Sequence, residues 1–240
     1  MAKILIWDIE ASNLNADFGF VFCIGWKWVG EKKTHLIKLR DSKTFNKDCT
    51  NDKEVVEKFG EVMEQADYHV AHYGTFFDPQ YVNTRRMIHE LPPMAPATLV
   101  DTWKTARKKL KLHSNRLDSI FTALGVEAVK TRLDPKYWVR AAAGHIPSLR
   151  YIEEHCVKDV DALEKVYLKL QPILMDTPNN AGINGKMLSC PRCGMESVNG
   201  ILQKRGLCYS KNGVAQRYQC KGCGGWCTGK REQFDVKGRT

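Results

Sequence analysis

Across the first 180 residues, five β-rich runs alternate with stretches of helical periodicity, and this alternation restricts the chain to an α/β architecture. Residues 3–9 read as a buried strand. Residues 20–29 and 34–39 are two further strands, separated by Gly30-Glu31-Lys32-Lys33, which has the composition of a hairpin turn. Asn51 or Asp52 is placed to cap a helix reaching about Ala66, with Val55, Phe59 and Val62 or Met63 on its inner face. Strands are expected at residues 68–72 and 98–102, with a helix after Pro79 between them. Asp134-Pro135 starts a helix that Gly144 stops, and Pro147 begins a long amphipathic helix running to about Leu174. The domain order expected is residues 1–175, a Pro-, Gly- and Asn-rich linker at 176–186, and a small polar module at 187–240.

That last module is too small and too polar to fold on an apolar core, so it needs a staple. Cys190-Pro-Arg-Cys193-Gly and Cys220-Lys-Gly-Cys223-Gly are matched turns with 26 residues between them. Two residues between thiolates let both sulfurs reach one tetrahedral ion, and the glycine relieves the turn. Four cysteines leave no open position, so Cys190, Cys193, Cys220 and Cys223 are expected to hold one structural Zn2+, the alternative being a redox pair. Cys208 and Cys227 are left over, Cys227 being a substitute ligand or a packed thiol. An odd count of nine cysteines and the lack of an export signal weigh against a disulfide framework.

Net charge is +10, and the last 60 residues carry 11 Lys/Arg against 3 Asp/Glu. A positive field concentrated at one end points to a polyanion such as nucleic acid, the plainer alternative being solubility. Gln216 to Cys220 resembles the second half of zinc ribbons attached to transposases and other nucleic-acid enzymes. Lys204, Arg205, Lys211, Arg217, Tyr218 and Lys221 then become candidate nucleic-acid contacts, although a ribbon that only docks protein is the competing reading. A second basic run, Lys104, Arg107, Lys108, Lys109, Lys111, His113 and Arg116, is either a backbone guide or a solvated face. Trp26, Trp28, Trp103 and Trp138 read as core or sheet residues rather than base platforms. No apolar run approaches a membrane span, and a cytoplasmic location is expected, in a host cell if a phage or mobile element encodes the chain.

The chemistry rests on carboxylates. Asp8 and Glu10 lie at the end of the first strand and, by alternation, on one face of it. Such a pair repels itself unless a cation joins it. Asp78 follows in the segment His72-Tyr-Gly74-Thr-Phe-Phe77-Asp78, at a strand-to-helix turn. His155 and Asp159 share one face of the long helix, with Tyr151 one turn earlier, while Asp161 is about 200° around the axis. Taken singly, each motif is weak: a polar strand end, a helix cap, a surface pair.

In this order, D-x-E, H-x-G-x-x-F-D and His-x-x-x-Asp resemble the DEDD superfamily of 3′–5′ exonucleases, over roughly residues 3–174. The segments Val100-Asp-Thr-Trp103 and Asn115 to Gly125 are similar to the family's connecting region. The resemblance implies a ribonuclease H-like mixed sheet flanked by helices. It also implies two Mg2+ or Mn2+ ions held by Asp8, Glu10, Asp78 and Asp159, with Asp8 bridging both, and His155 orienting the attacking water. Two departures stand out: His155 has the spacing of the family's tyrosine subtype, and Tyr73 replaces the usual asparagine. Tyr151 is the fallback for the water. The activity implied is removal of nucleotides from the 3′ end of DNA, single-stranded in preference, with a polymerase or replication partner acting in trans. Action on RNA, an internal cut, or an inactive nucleic-acid-binding adaptor are the alternatives.

Overall fold

The computed structural model describes residues 2–127, 134–186, 189–196, 200–211 and 213–232, so both ends of the expected 187–240 module lie outside the described residues. The chain divides into two compact units, one comprising Lys3–Leu170 with Leu174–Asp176, the other built mainly from Thr177 onward.

The larger unit is a five-stranded mixed sheet: β1 (Ile4–Ala11), β2 (Val21–Trp28), β3 (His35–Lys38), β4 (Tyr68–Ala71) and β5 (Thr98–Asp101), in the order β3-β2-β1-β4-β5. β1, β2 and β3 pair antiparallel, whereas β4 and β5 continue parallel to β1. The helices are α1 (Lys53–Met63), α2 (Asp78–Ile88), α3 (Thr102–Lys109), α4 (Leu117–Ala123), α5 (Pro135–Ala142) and α6 (Ile146–Leu170).

β1 is the central strand and is covered on both faces, which explains its nearly unbroken apolar run. Trp7, on one face, packs against Phe59 of α1 at 4.6 Å between ring centroids, and its indole N–H donates to Nδ1 of His69 at 2.9 Å. Burial pulls His69 down to about 4, so the ring is neutral and its Nδ1 is free to accept. The other face meets α6. There Tyr68 shares a hydroxyl contact with Tyr167, and Lys27 pairs with Asp161 at 3.1 Å and Glu164 at 2.8 Å. Leu5, Ile6, Trp7, Phe22 and Phe59 are fully buried, and each contributes roughly 1.5–3 kcal/mol by leaving water.

Two sequence expectations need revision. Asp52 precedes α1 but makes no side-chain cap; it accepts instead from the Val21 N–H, from the Arg85 guanidinium and from His89. The buried carboxylate ties α1, α2 and β2 together, a tertiary demand that outweighs the local cap. The long helix ends at Leu170, about one turn earlier than its periodicity suggested.

The second unit carries a three-stranded antiparallel sheet, β6 (Leu202–Ser210), β7 (Gly213–Cys220) and β8 (Trp226–Glu232), and a four-cysteine cluster. Part of the segment read as linker is ordered within this unit. Asn179 caps a short helix, α7 (Asn180–Ile183), and buried Asn180 bonds the carbonyls of Pro191 and Arg192 beside the first knuckle. Asparagine suits both a loop and a cap, so composition alone could not separate them.

Candidate active site

Asp8 and Glu10 point to the face of β1 that α6 covers, opposite Gly25 and Cys23 of β2. Gly25 is what lets the helix come this close. A Cβ there would lie 2.8 Å from Cys156 Sγ and 2.9 Å from Val160 Cγ2, so α6 rests on bare backbone. Cys156 Sγ thereby reaches 3.7 Å from the Asp8 carbonyl, and His155 and Asp159 hang over the end of the strand. A register irregularity between Glu10 and Ala11 ends the regular pairing at that point.

Asp78 begins α2 directly after Phe77. Its buried carboxylate accepts from its own backbone N–H and from that of Ile9, which holds it against the end of β1. Glu10, His155 and Asp159 offer ligand atoms that all lie within 4.8 Å of one another. His155 Nε2 lies 3.7 Å from Glu10 Oε1 and 3.3 Å from Asp159 Oδ2. These groups open on a cleft of about 430 Å³ whose walls include Asp8, Leu14, Phe77 and Trp138.

Electrostatics show what the arrangement lacks. Burial, then Asp78, Glu10 and Asp159 in turn, push Asp8 well above the ordinary carboxylate range, and burial followed by Asp159 and Asp78 does the same to Glu10. Burial raises Asp78 to about 7, and burial with Asp118 nearby raises Asp159 to about 6. Among the described residues, His155 is the only ion-pair partner these carboxylates have. Burial and Lys158 pull His155 below its usual value, the reverse of a salt-bridged imidazolium. The ring is therefore a neutral base lying between carboxyl groups that resist ionising. Four clustered acids with no lysine or arginine paired to them among the described residues form an oxygen-donor set suited to hard divalent cations.

Several predicted site residues thus converge, and the details sharpen their roles. Tyr151, the fallback for the water, stacks on Tyr137 at 3.9 Å. Asp161 turns away, accepting from Lys27 and from the Thr34 hydroxyl at 2.7 Å. Trp138 packs, partly buried, against the hydrophobic core and also lines the cleft, its ring meeting His155 edge-on at 6.2 Å. No local pattern marks such a role, since α5 is brought to the site by its packing on α6 and the core.

The four cysteines of the second unit fit a metal by a different test. Cys190 Sγ is 3.9 Å from Cys223 Sγ, and Cys193 Sγ is 3.8 Å from Cys220 Sγ. Tetrahedral coordination at about 2.3 Å requires sulfur separations of about 3.8 Å. Each knuckle closes with an N–H to carbonyl bond, from Gly194 to Cys190 and from Gly224 to Cys220, and both glycines are left-handed, at φ 71° and 73°. The hydrogen bond from Cys193 brings Cys190 down to about 5, while Cys193 itself is driven up by the same contact. Cys208 and Cys227 are not in the cluster. Of the candidate nucleic-acid contacts, Lys204, Arg205, Lys211, Arg217 and Lys221 are exposed. Tyr218 pairs across from Lys204, and Arg217 lies 5.8 Å from the Trp226 ring, a contact that sequence reading missed.

Residues 5–171 match the family model described as RNase_H superfamily. The chain belongs to the ribonuclease H superfamily. Its larger unit accordingly has a ribonuclease H-like nuclease fold, with the carboxylates at the end of the central strand. Among solved structures, exonuclease X in complex with 5′ overhanging duplex DNA is similar, at 16% identity over 65% of this chain and 98% of its own, with a TM-score of 0.35. No curated protein matches the chain. Among the described residues, no helix is long and apolar enough to cross a membrane.

Proposed function

We propose that this protein is a metal-dependent phosphodiester hydrolase that removes nucleotides from the 3′ end of a DNA strand. The observation that carries the reading is the cluster of Asp8, Glu10, Asp78 and Asp159, held together against mutual repulsion, with His155 as its only ion-pair partner among the described residues. A fold does not retain such a cluster for stability, because each buried charge weakens it. Two Mg2+ or Mn2+ ions, when bound, supply the positive charge that activates water and neutralises the departing oxygen. Asp8, Glu10, Asp78 and Asp159 would hold these ions, with Glu10 and Asp159 toward the attacking water and Asp78 toward the departing oxygen. His155 Nε2 takes the proton of that water, a role that needs the ring neutral near pH 7. The exonuclease direction is drawn from the resemblance of the three motifs to the DEDD enzymes.

The four-cysteine cluster is proposed to hold one Zn2+ with a purely structural role. The exposed Lys204, Arg205, Lys211, Arg217 and Lys221, with Tyr218, are proposed to add grip on the phosphate backbone. Digestion of DNA and RNA oligonucleotides labelled at either end, with Mg2+ or Mn2+, tests the whole reading. Stepwise shortening of DNA from the 3′ end that vanishes in Asp8→Ala is the expected result. Internal fragments would mark an endonuclease, preference for the RNA would move the substrate, and binding without cleavage would mark an adaptor.

A further inference from the structure

Because β1, β4 and β5 run parallel, the segments that leave their C-terminal ends emerge at one edge of the sheet. Asp8 and Glu10 lie at the end of β1. From the other two strands come three aromatic rings, Tyr73 and Phe76 after β4 and Trp103 after β5. Tyr73 is 42% exposed and Phe76 53% exposed. The three rings pack on one another, with centroids 5.1 Å (Tyr73–Phe76), 4.9 Å (Tyr73–Trp103) and 5.9 Å (Phe76–Trp103) apart. An exposed aromatic cluster of this kind calls for an occupant.

The surface is also held stiff at a cost. Tyr73 has φ 66°, a left-handed conformation that a bulky side chain rarely adopts. Asp101 enforces it, accepting from the Tyr73 N–H at 3.1 Å with one oxygen and from the Thr75 N–H at 2.9 Å with the other. His72 next door is pinned to the Thr102 hydroxyl at 2.9 Å and the Asn115 carbonyl at 3.0 Å. The strain is spent on presenting a ring to solvent, which is where strained backbone has functional meaning.

Charge selects the occupant. Helix α3 carries no acidic residue, its Arg107 guanidinium lies 5.3 Å from the Trp103 ring, and Arg107, Lys108 and Lys109 are exposed. Flat aromatic faces beside unpaired cations match an unpaired strand, with its bases on the rings and its phosphates on the cations. A hollow of about 290 Å³, with Phe76 on its wall, shares Leu14 and Phe77 with the carboxylate cleft, so the two surfaces are continuous.

We propose that Tyr73, Phe76 and Trp103 form a base-stacking ledge for the nucleotides behind the scissile phosphate, with Arg107 and Lys108 on the backbone, so that the substrate is an unpaired strand end. The ledge rests on the hydrolase reading for the position of that end. Every base has a stackable face, so the ledge tolerates any sequence but excludes a closed duplex.

The test is fluorescence anisotropy of the full chain with a 5′-labelled twelve-nucleotide oligothymidine, in Ca2+, beside an abasic strand of equal length. Tyr73→Asn removes the ring while keeping a residue that accepts the left-handed backbone, and Phe76→Ser removes the second ring. Each variant is expected to keep its melting temperature and weaken binding on the order of tenfold, and the pair on the order of a hundredfold. Binding of the normal strand should quench tryptophan fluorescence. The abasic strand should bind weakly to the native protein and be indifferent to either substitution. If folded variants bind like the native protein, or if the abasic strand binds as tightly as the normal one, the ledge is wrong. Cleavage by the native protein without any effect of the ledge variants overturns the ledge alone. Ledge-dependent binding without cleavage overturns the hydrolase reading and leaves the ledge standing, and a native protein that binds no strand overturns both.

Discussion

Replacing Asp78 by asparagine should make the protein free of divalent cations more stable above neutral pH while ending hydrolysis. Burial holds Asp78 at about 7, against an ordinary 3.8. The folded state therefore binds this proton more tightly than the unfolded chain does. Stability from this group is complete below about pH 4, falls as pH rises, and is lost by about pH 7. At pH 8 the ionised carboxylate costs the fold about 4 kcal/mol, taking 1.36 kcal/mol per pH unit. The amide removes that charge and still accepts from the Ile9 N–H, though a neutral oxygen is a weaker acceptor for two donors. Allowing about 2 kcal/mol for that loss leaves a gain of about 2 kcal/mol. For a chain of this size the gain corresponds to roughly 4–8 °C in melting temperature. The assay is a thermal melt of the protein dialysed free of Mg2+ and Mn2+, zinc retained, at pH 5 and pH 8. The gain should appear at pH 8 and vanish at pH 5, where ionisation of the unfolded chain favours the variant by only about 1.6 kcal/mol, no more than the amide's weaker hydrogen bonding takes away. Added Mg2+ should raise the native melting temperature at pH 8 more than that of the variant. A variant that is less stable at pH 8, or equally stabilised at both values, would refute the argument that burial of an ionisable acid at Asp78 weakens the metal-free fold.

Gly25→Ala should destabilise the fold by about 1–3 kcal/mol through overpacking, and should depress hydrolysis further than the loss of fold explains, because α6 carries His155 and Asp159; melts and rates at one temperature separate the two effects. His155→Gln should lower kcat by roughly 10²–10⁴-fold with a smaller change in KM, and should make the fall in rate on the acid side shallower, because the ring's protonation no longer adds to that of the carboxylates; a pH–rate profile reads both. Cys193→Ser should reduce bound zinc from one per chain to none, by metal analysis, and strip amide-exchange protection from β6 and β7. Retained zinc would point to a replacement ligand such as Cys227.

The strands and the shared face of Asp8 and Glu10 were legible in the sequence because both depend on short-range spacing. Residues 3–9 announce a strand by an unbroken apolar run, and Asp8 and Glu10 share a face by parity alone. The parts that escaped are set by what comes from elsewhere in the chain. Asp52 looks like a cap until Arg85 and His89 arrive from α2. Gly25 looks like a weak spot in β2 until α6 is laid on it. Trp103 packs on Tyr73 and Phe76, and Trp138 turns one side to the core and another to the cleft; a tryptophan's neighbours along the chain do not say which of its faces is covered. Asn179 and Asn180 read as loop, yet cap and hold a helix.

Helix α6 is gripped twice from the side of the β2–β3 hairpin. Glu153 receives Arg40 through two hydrogen bonds of 2.7 and 3.0 Å, and Glu164 receives Lys27 and the Gly30 N–H. The two glutamates are about three turns apart, which puts both grips on one side of the helix. A cylinder fastened at two points on the same side cannot roll about its axis without breaking both. His155 and Asp159 ride between those fastenings, so their angular setting over β1 is decided by residues that never touch the cleft. Screening for altered activity should therefore find Arg40 and Lys27 as readily as the groups that face the substrate.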